Sequence, residues 1–158
     1  MITESAPRPR LQSVVSRVST VARLVLAAVF IAAGTLKAID PSGSVAAVRA
    51  YELVPAGLET LIGWGLPFLE IGLGLLLALG LQTRAVAIAS AVLLLTLIAA
   101  VVSVAARGLS IDCGCFGGGG PVPPSETNYA SEIVRDLGLL LLAGWLIWQP
   151  RSRFSLDS

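Results

Sequence analysis

Cys113 and Cys115 are the residues with the most chemistry to offer in this chain of 158 residues. They are its only two cysteines, and they lie in Ile111-Asp112-Cys113-Gly114-Cys115-Phe116-Gly117. Two thiols this close can hold a disulfide and pass it on through a mixed disulfide, or they can bind a soft metal. Gly114 gives the backbone the freedom to bend the pair toward disulfide spacing, and a ring this short carries strain. Strained, exposed disulfides are the exchangeable ones. A static staple is the weaker reading, because so short a ring closes almost no loop and removes little chain entropy. Two thiolates suit Cu(I), but no histidine and no third cysteine exists to complete a zinc site, so no metal is assigned.

Four further ionisable residues bear on the pair. Arg135 favours a neighbouring thiolate if it reaches one; its other reading is an ion pair with Asp112, Asp136 or Glu132, or simple snorkelling. Asp112, next to Cys113, acts in the opposite sense and disfavours its thiolate. Glu70 stands in the middle of an apolar run. It is either a proton relay or polar contact to a bound quinone, or a neutral carboxyl bonded across a helix interface. Lys37 reads as an interface anchor. The Gly117–Gly120 run lacks the lysine and hydroxyl residue of a phosphate loop. It serves mobility, or the close approach of a partner backbone.

The elements that position these residues are read from hydropathy. Hydrophobic residues make up 55% and charged residues 13%, about half the charge of a soluble domain, and mean hydropathy is +0.84. A lipid bilayer is therefore the expected solvent. A net charge of +1 gives no reason to expect nucleic acid. Residues 1–17 form a basic polar tail with Arg8, Arg10 and Arg17. Span one covers about 18–39, with Arg23 and Lys37 snorkelling to opposite interfaces. A signal peptide is the rival reading of this run; Lys37 and Asp40-Pro41, closing the run as a span, favour a retained helix. Asp40-Pro41-Ser42-Gly43 ends the span. A short surface helix follows over 44–53, with Val45, Val48 and Leu53 on one side, Arg49 and Glu52 on the other, and Tyr51 at headgroup level. Span two covers about 58–81 and contains Pro67, Glu70 and glycines 63, 65, 72 and 74, which permit close helix approach. Span three covers 85–106 without a charge. Residues 107–131 form an irregular cysteine loop. Span four covers about 132–149, and residues 150–158 are a second tail.

The expected fold is thus an all-α, integral membrane four-helix bundle. Arg8, Arg10, Arg17, Arg84, Arg151 and Arg153 fall on one side, which makes both termini cytoplasmic by the positive-inside rule. The cysteine loop and surface helix are then extracytoplasmic, at a multi-pass plasma membrane protein's outer face, where disulfides persist.

Three segments carry a family resemblance. They are Ala33-Gly34-Thr35-Leu36-Lys37 with Asp40-Pro41; Tyr51-Glu52-Leu53-Val54-Pro55 with Pro67-Phe68-Leu69-Glu70-Ile71-Gly72-Leu73-Gly74; and Cys113-Gly114-Cys115-Phe116-Gly117 with Val134-Arg135-Asp136-Leu137. Over residues 18–149 the chain resembles the MauE branch of the DoxX-like membrane proteins. The resemblance implies thiol redox work outside the cytoplasm, with a thioredoxin-like or disulfide-rich protein as partner. The layout is also similar to that of quinone-linked disulfide enzymes, but those use two cysteine pairs and this chain has one. The leading expectation is a membrane thiol–disulfide redox partner. Its rivals are a non-catalytic scaffold that docks a partner through the glycine-rich loop, and a transporter subunit using Glu70. Partner identity, oligomeric state and the direction of electron flow stay open.

Overall fold

The computed structural model describes residues 9–151 and Leu156. Arg8 and Arg153, counted above toward the basic side, lie outside the described residues. Five helices dominate: α1 (Pro9–Ile39), α2 (Pro41–Ala50), α3 (Leu58–Leu79), α4 (Thr83–Ala106) and α5 (Tyr129–Trp148). The described residues are all-α apart from a two-residue antiparallel ladder, β1 (Ile111–Asp112) with β2 (Gly120–Pro121), an isolated bridge between Cys115 and Gly117, and a 3-10 turn at Pro124–Glu126. Among the described residues α1, α3 and α4 are long and apolar enough to cross a membrane. The 20-residue α5 carries Glu132, Arg135 and Asp136 in its first two turns.

The four long helices share one core, in which Leu26 and Phe30 meet Leu73 and Leu77, Ala87 and Leu94, and Ala143 and Leu146. Outside this core, large apolar side chains such as Leu61, Phe68, Val92 and Leu141 are exposed, as lipid-facing surfaces require. α1 packs chiefly on α3, and α4 chiefly on α5. Two glycines set the first of these crossings. A Cβ at Gly34 would meet the Pro67 carbonyl and Ile71, and one at Gly74 would meet Ile31 and the Ala27 carbonyl. Gly63 makes the same kind of approach to Val45 of α2, whereas Gly65 and Gly72 face open space. Only part of the glycine pattern in α3 therefore serves helix packing.

Several expected details differ. Residues 10–17, read as tail, are the first turns of α1. Asp40 does not simply close α1: it is the N-cap of α2, accepting from Gly43 N at 2.9 Å, and Pro41 takes the first turn, where its missing N–H leaves no gap. Arg23 does not snorkel. It is 2% exposed and donates to the carbonyls of Leu77 (2.9 Å) and Ala78 (3.1 Å), which end α3. These are last-turn carbonyls, of which Leu77 O also accepts from Gly80 N at 3.1 Å, and the guanidinium adds a charged donor to them inside the bundle. At the same end Ser19 donates to Gln149 O at 3.0 Å. The α3–α4 turn, the end of α5 and the early turns of α1 therefore meet, and the cysteine loop lies at the opposite end.

Pro67 has no N–H for the carbonyl of Gly63, four residues before it. Ser44 Oγ donates to that carbonyl at 2.9 Å, in a buried contact. α2 is thus fastened to α3 at the place where the proline opens its hydrogen-bond ladder.

Candidate functional site around the cysteine pair

The cysteine loop is built onto the helices rather than hung from them. Tyr129, in the first turn of α5, donates to Leu109 O at 2.6 Å and accepts from Ile111 N at 2.9 Å, fixing the start of the loop. The β1–β2 pairing closes it, with Ile111 opposite Pro121 and Asp112 opposite Gly120. The loop then rests on α2. Gly114 has φ +66°, and a Cβ there would run into Ala47; a Cβ at Gly119 (φ +109°) would strike the same alanine. Positive φ and lack of room both demand glycine at these positions.

Both cysteines are free thiols, each 8% exposed. They pack with Val101, Tyr51, Tyr129 and Ile133. Cys115 N donates to Cys113 Sγ at 3.2 Å, and the two sulfurs share a hydrogen bond. That bond holds the Cys115 thiol below its ordinary range, burial opposes it, and the charges of Arg135 and Lys37 reinforce it. The same bond, then burial and the charge on Cys115, pushes Cys113 well above the thiol range. The arrangement favours one thiolate on Cys115, with Cys113 as the protonated donor. Tyr51 donates to Cys113 O at 3.3 Å; burial, then the two sulfurs, keeps its hydroxyl protonated.

Two ion pairs flank Cys115. Lys37 Nζ lies 2.6 Å from Glu70 Oε1, with side chains 6% and 3% exposed. Arg135 Nε lies 2.8 Å from Asp136 Oδ1, and the guanidinium sits 4.9 Å over the Phe116 ring. Lys37, Glu70, Cys115, Arg135 and Asp136 line one small cavity of about 30 Å³, room for about one water. Glu70 Oε2 and Asp136 Oδ2 are buried without a donor among the described residues. A second cavity, of about 260 Å³, is lined by Lys37, Ser44, Ala47, Tyr51, Ala100, both cysteines and further apolar side chains.

The sequence-derived candidates therefore occupy one region, in ways spacing alone does not give. Arg135 pairs with Asp136, rather than Asp112 or Glu132, and still acts on Cys115. Glu70 is buried against α1 and meets Lys37, so Lys37 is not an interface anchor. Asp112 turns its carboxylate to Gly114 N at 3.2 Å. Tyr51, expected at headgroup level, turns its hydroxyl onto the cysteine loop. Tyr51, Ala47, Tyr129 and Glu132 were not singled out as site residues. The available signal was Tyr51 itself, an aromatic residue with a hydroxyl at the end of the short helix. Asp112, Cys113 and Glu132 bring ligand atoms within 4.8 Å of one another. Two carboxylates with one thiol make a mixed hard and soft donor set that matches no single metal class well.

Compared with known families, a model described as Methylamine utilisation protein MauE matches residues 15–149, most of the chain. No curated protein and no solved structure matches.

Proposed function

Since the chain belongs to the MauE family, we propose that it is a membrane thiol–disulfide redox partner acting through Cys113 and Cys115. The observation that carries this reading is the setting of Cys115. A thiolate there is favoured by the Cys113 thiol and by two cations, Arg135 and Lys37, from different helices. Structural cysteines do not need such a setting; attacking ones do. In the forward direction Cys115 S⁻ attacks a disulfide of a thioredoxin-like or disulfide-rich protein and releases one partner thiolate. Cys113 then resolves the mixed disulfide and releases the second, and the pair is left oxidised. The reverse sequence delivers a disulfide.

Membrane placement belongs to the same proposal. α5 becomes a fourth span because Arg135 and Asp136 neutralise each other and the run after them, Leu137 to Trp148, is uncharged. The end holding Arg84 and Arg151 is then cytoplasmic, and the cysteine loop faces outward.

The test is substitution of Cys113 and Cys115 by serine, singly and together, with the disulfide state of the partner protein as readout. Loss in the double variant, and a trapped mixed disulfide on Cys115 in Cys113→Ser alone, are expected. Wild-type partner oxidation in the double variant would leave a docking scaffold instead. Reporter fusions after Arg84 and within 117–120 should report opposite sides of the membrane.

A further inference from the structure

The cavity of about 260 Å³ beside the cysteines has a construction of its own. Its walls are the first turns of α3 (Ile62, Leu66), the later part of α4 (Thr96, Leu97, Ala100), α2 and the cysteine loop. α3 and α4 each pack mainly on another helix, so the space between them is left open at this end. The open side is lateral. Ile62 and Leu53 on its rim are 36% and 49% exposed, and Leu61, Trp64 and Leu95 beside them are exposed as well. A molecule that enters here comes from the bilayer and is itself apolar.

One polar group breaks the apolar lining in an informative way. Lys37 reaches the cavity with its side chain 6% exposed. An ammonium carries three donors and no acceptor, and among the described residues its hydrogen-bond acceptor is Glu70 Oε1. A buried donor next to apolar walls calls for an acceptor on the occupant. The Ser44 and Thr96 hydroxyls already donate to Gly63 O and Val92 O, so they do not compete for it. Both cysteines form part of the same wall. An occupant that is apolar, bears an exposed carbonyl oxygen and sits against a dithiol has the chemistry of a quinone.

We propose that this cavity binds the ring of a lipid-soluble quinone, with Lys37 Nζ donating to one ring carbonyl and the tail leaving between α3 and α4. Resting on the redox function proposed above, the site gives the cysteine pair its electron acceptor. Cys113–SH and Cys115–S⁻ lose two electrons and one proton as the S–S bond forms. The quinone takes up those two electrons with two protons, the second drawn from water, and leaves as the quinol. Lys37 stabilises the negative charge that grows on the carbonyl oxygen during this step.

The experiment uses the full chain in phosphatidylcholine nanodiscs and a decyl-tailed 1,4-benzoquinone carrying a photoreactive azide. Crosslinking should saturate, be displaced by the unlabelled decyl-benzoquinone, and map to residues 44–66 or 96–115. Ala100→Phe, which fills the cavity, should weaken it at least about tenfold, the scale of a lost small-molecule contact set. Lys37→Met/Glu70→Leu, which removes the donor without stranding a carboxylate, should weaken it about tenfold through loss of a charge-assisted bond. Helicity by circular dichroism identifies folded variants. Label that never saturates, that added phospholipid displaces equally well, or that ignores both substitutions in folded protein would overturn the site. Binding is also measured in Cys113→Ser/Cys115→Ser, which keeps the cavity. Saturable binding there, beside failed partner oxidation by the wild type, would sink the redox function and leave the quinone site standing.

Discussion

Lys37 of α1 and Glu70 of α3 form a direct ion pair, Nζ to Oε1 at 2.6 Å, buried from both sides. Removing one partner leaves the other charge without compensation in a low-dielectric interior, a loss of about 3–5 kcal/mol. Lys37→Met should therefore lower the thermal unfolding midpoint of the purified protein in detergent sharply. Lys37→Met/Glu70→Leu should recover most of that loss, because an apolar pair of similar volume carries no desolvation cost. Equal damage from the single and double variants would show that packing, not charge, makes the contact valuable.

The setting of Cys115 predicts a pH profile. In Cys113→Ser, the rate of iodoacetamide alkylation against pH reports Cys115 alone. The hydroxyl keeps a donor in place, so its midpoint should lie below that of Cys113→Ala. Adding Arg135→Gln removes a cation that favours the thiolate, so the midpoint should rise by about one unit, the low end for contact charges because Lys37 remains. Alkylation at neutral pH should slow by up to about tenfold. An unmoved midpoint would restrict Arg135 to pairing with Asp136.

The same shift links stability to pH. The folded thiol at position 115 lies below its unfolded value. Between those two values the unfolded chain binds more protons, so stability rises with pH. The contribution is complete above the unfolded value and is lost as pH falls through the folded one. Denaturant midpoints of Cys113→Ser against pH should show this slope, and Cys113→Ser/Cys115→Ser should not.

Gly114→Ala should detach the loop from α2. The left-handed backbone costs a residue with a Cβ about 1–2 kcal/mol, and the new methyl collides with Ala47. Ala47→Gly removes the collision but not the backbone strain, so the double variant should recover only part of the stability. Cysteine labelling, faster when the loop lifts, measures both effects.

Ser44 and Pro67 should be coupled through the Gly63 carbonyl, which Ser44 bonds and Pro67 cannot. Ser44→Ala strands the buried Gly63 carbonyl and should cost about 1–3 kcal/mol. In Pro67→Ala the new backbone N–H can take that carbonyl, and Ser44→Ala should then cost almost nothing. A double-mutant cycle on unfolding free energies reads the difference; additive costs would mean that Ser44 serves packing alone.

Much of the helical layout is legible in the sequence because lipid imposes long apolar runs. Leu24–Leu36 and the uncharged 85–106 segment announce helices, and Gly80, in the left-handed region with φ +66°, marks the end of α3. The polar pairings are not legible in the same way. Lys37 and Glu70 are 33 residues apart, and no periodicity connects two helices before their packing is known. Taken alone, a lysine near a helix end reads as a snorkelling anchor. The role of Arg23 is hidden for the same reason: the carbonyls it serves belong to α3. Asp40-Pro41 was ambiguous because one residue can stop one helix and cap the next. The start of α5 at Tyr129 was hidden by its polar first turns, which resemble loop.

The helix pairing has an electrical consequence. Lys37 and Glu70 both belong to the tight α1–α3 unit, and Arg135 and Asp136 both lie on α5, in the α4–α5 unit. Each ion pair is internal to one jaw of the molecule, and each jaw is neutral at this level. Parting the jaws along the α3–α4 cleft pulls neither buried cation from its carboxylate, and the ion pair that bridges them, Arg107 with Glu52 at 4.0 Å, is exposed to solvent, so the motion escapes the large Coulomb cost of separating charge inside a membrane. What it does separate is Arg135 from Lys37, the two cations that act together on one sulfur. A gape of the cleft would thus leave both buried ion pairs intact and weaken the field at Cys115, so that mechanical opening and thiol acidity are tied to a single coordinate.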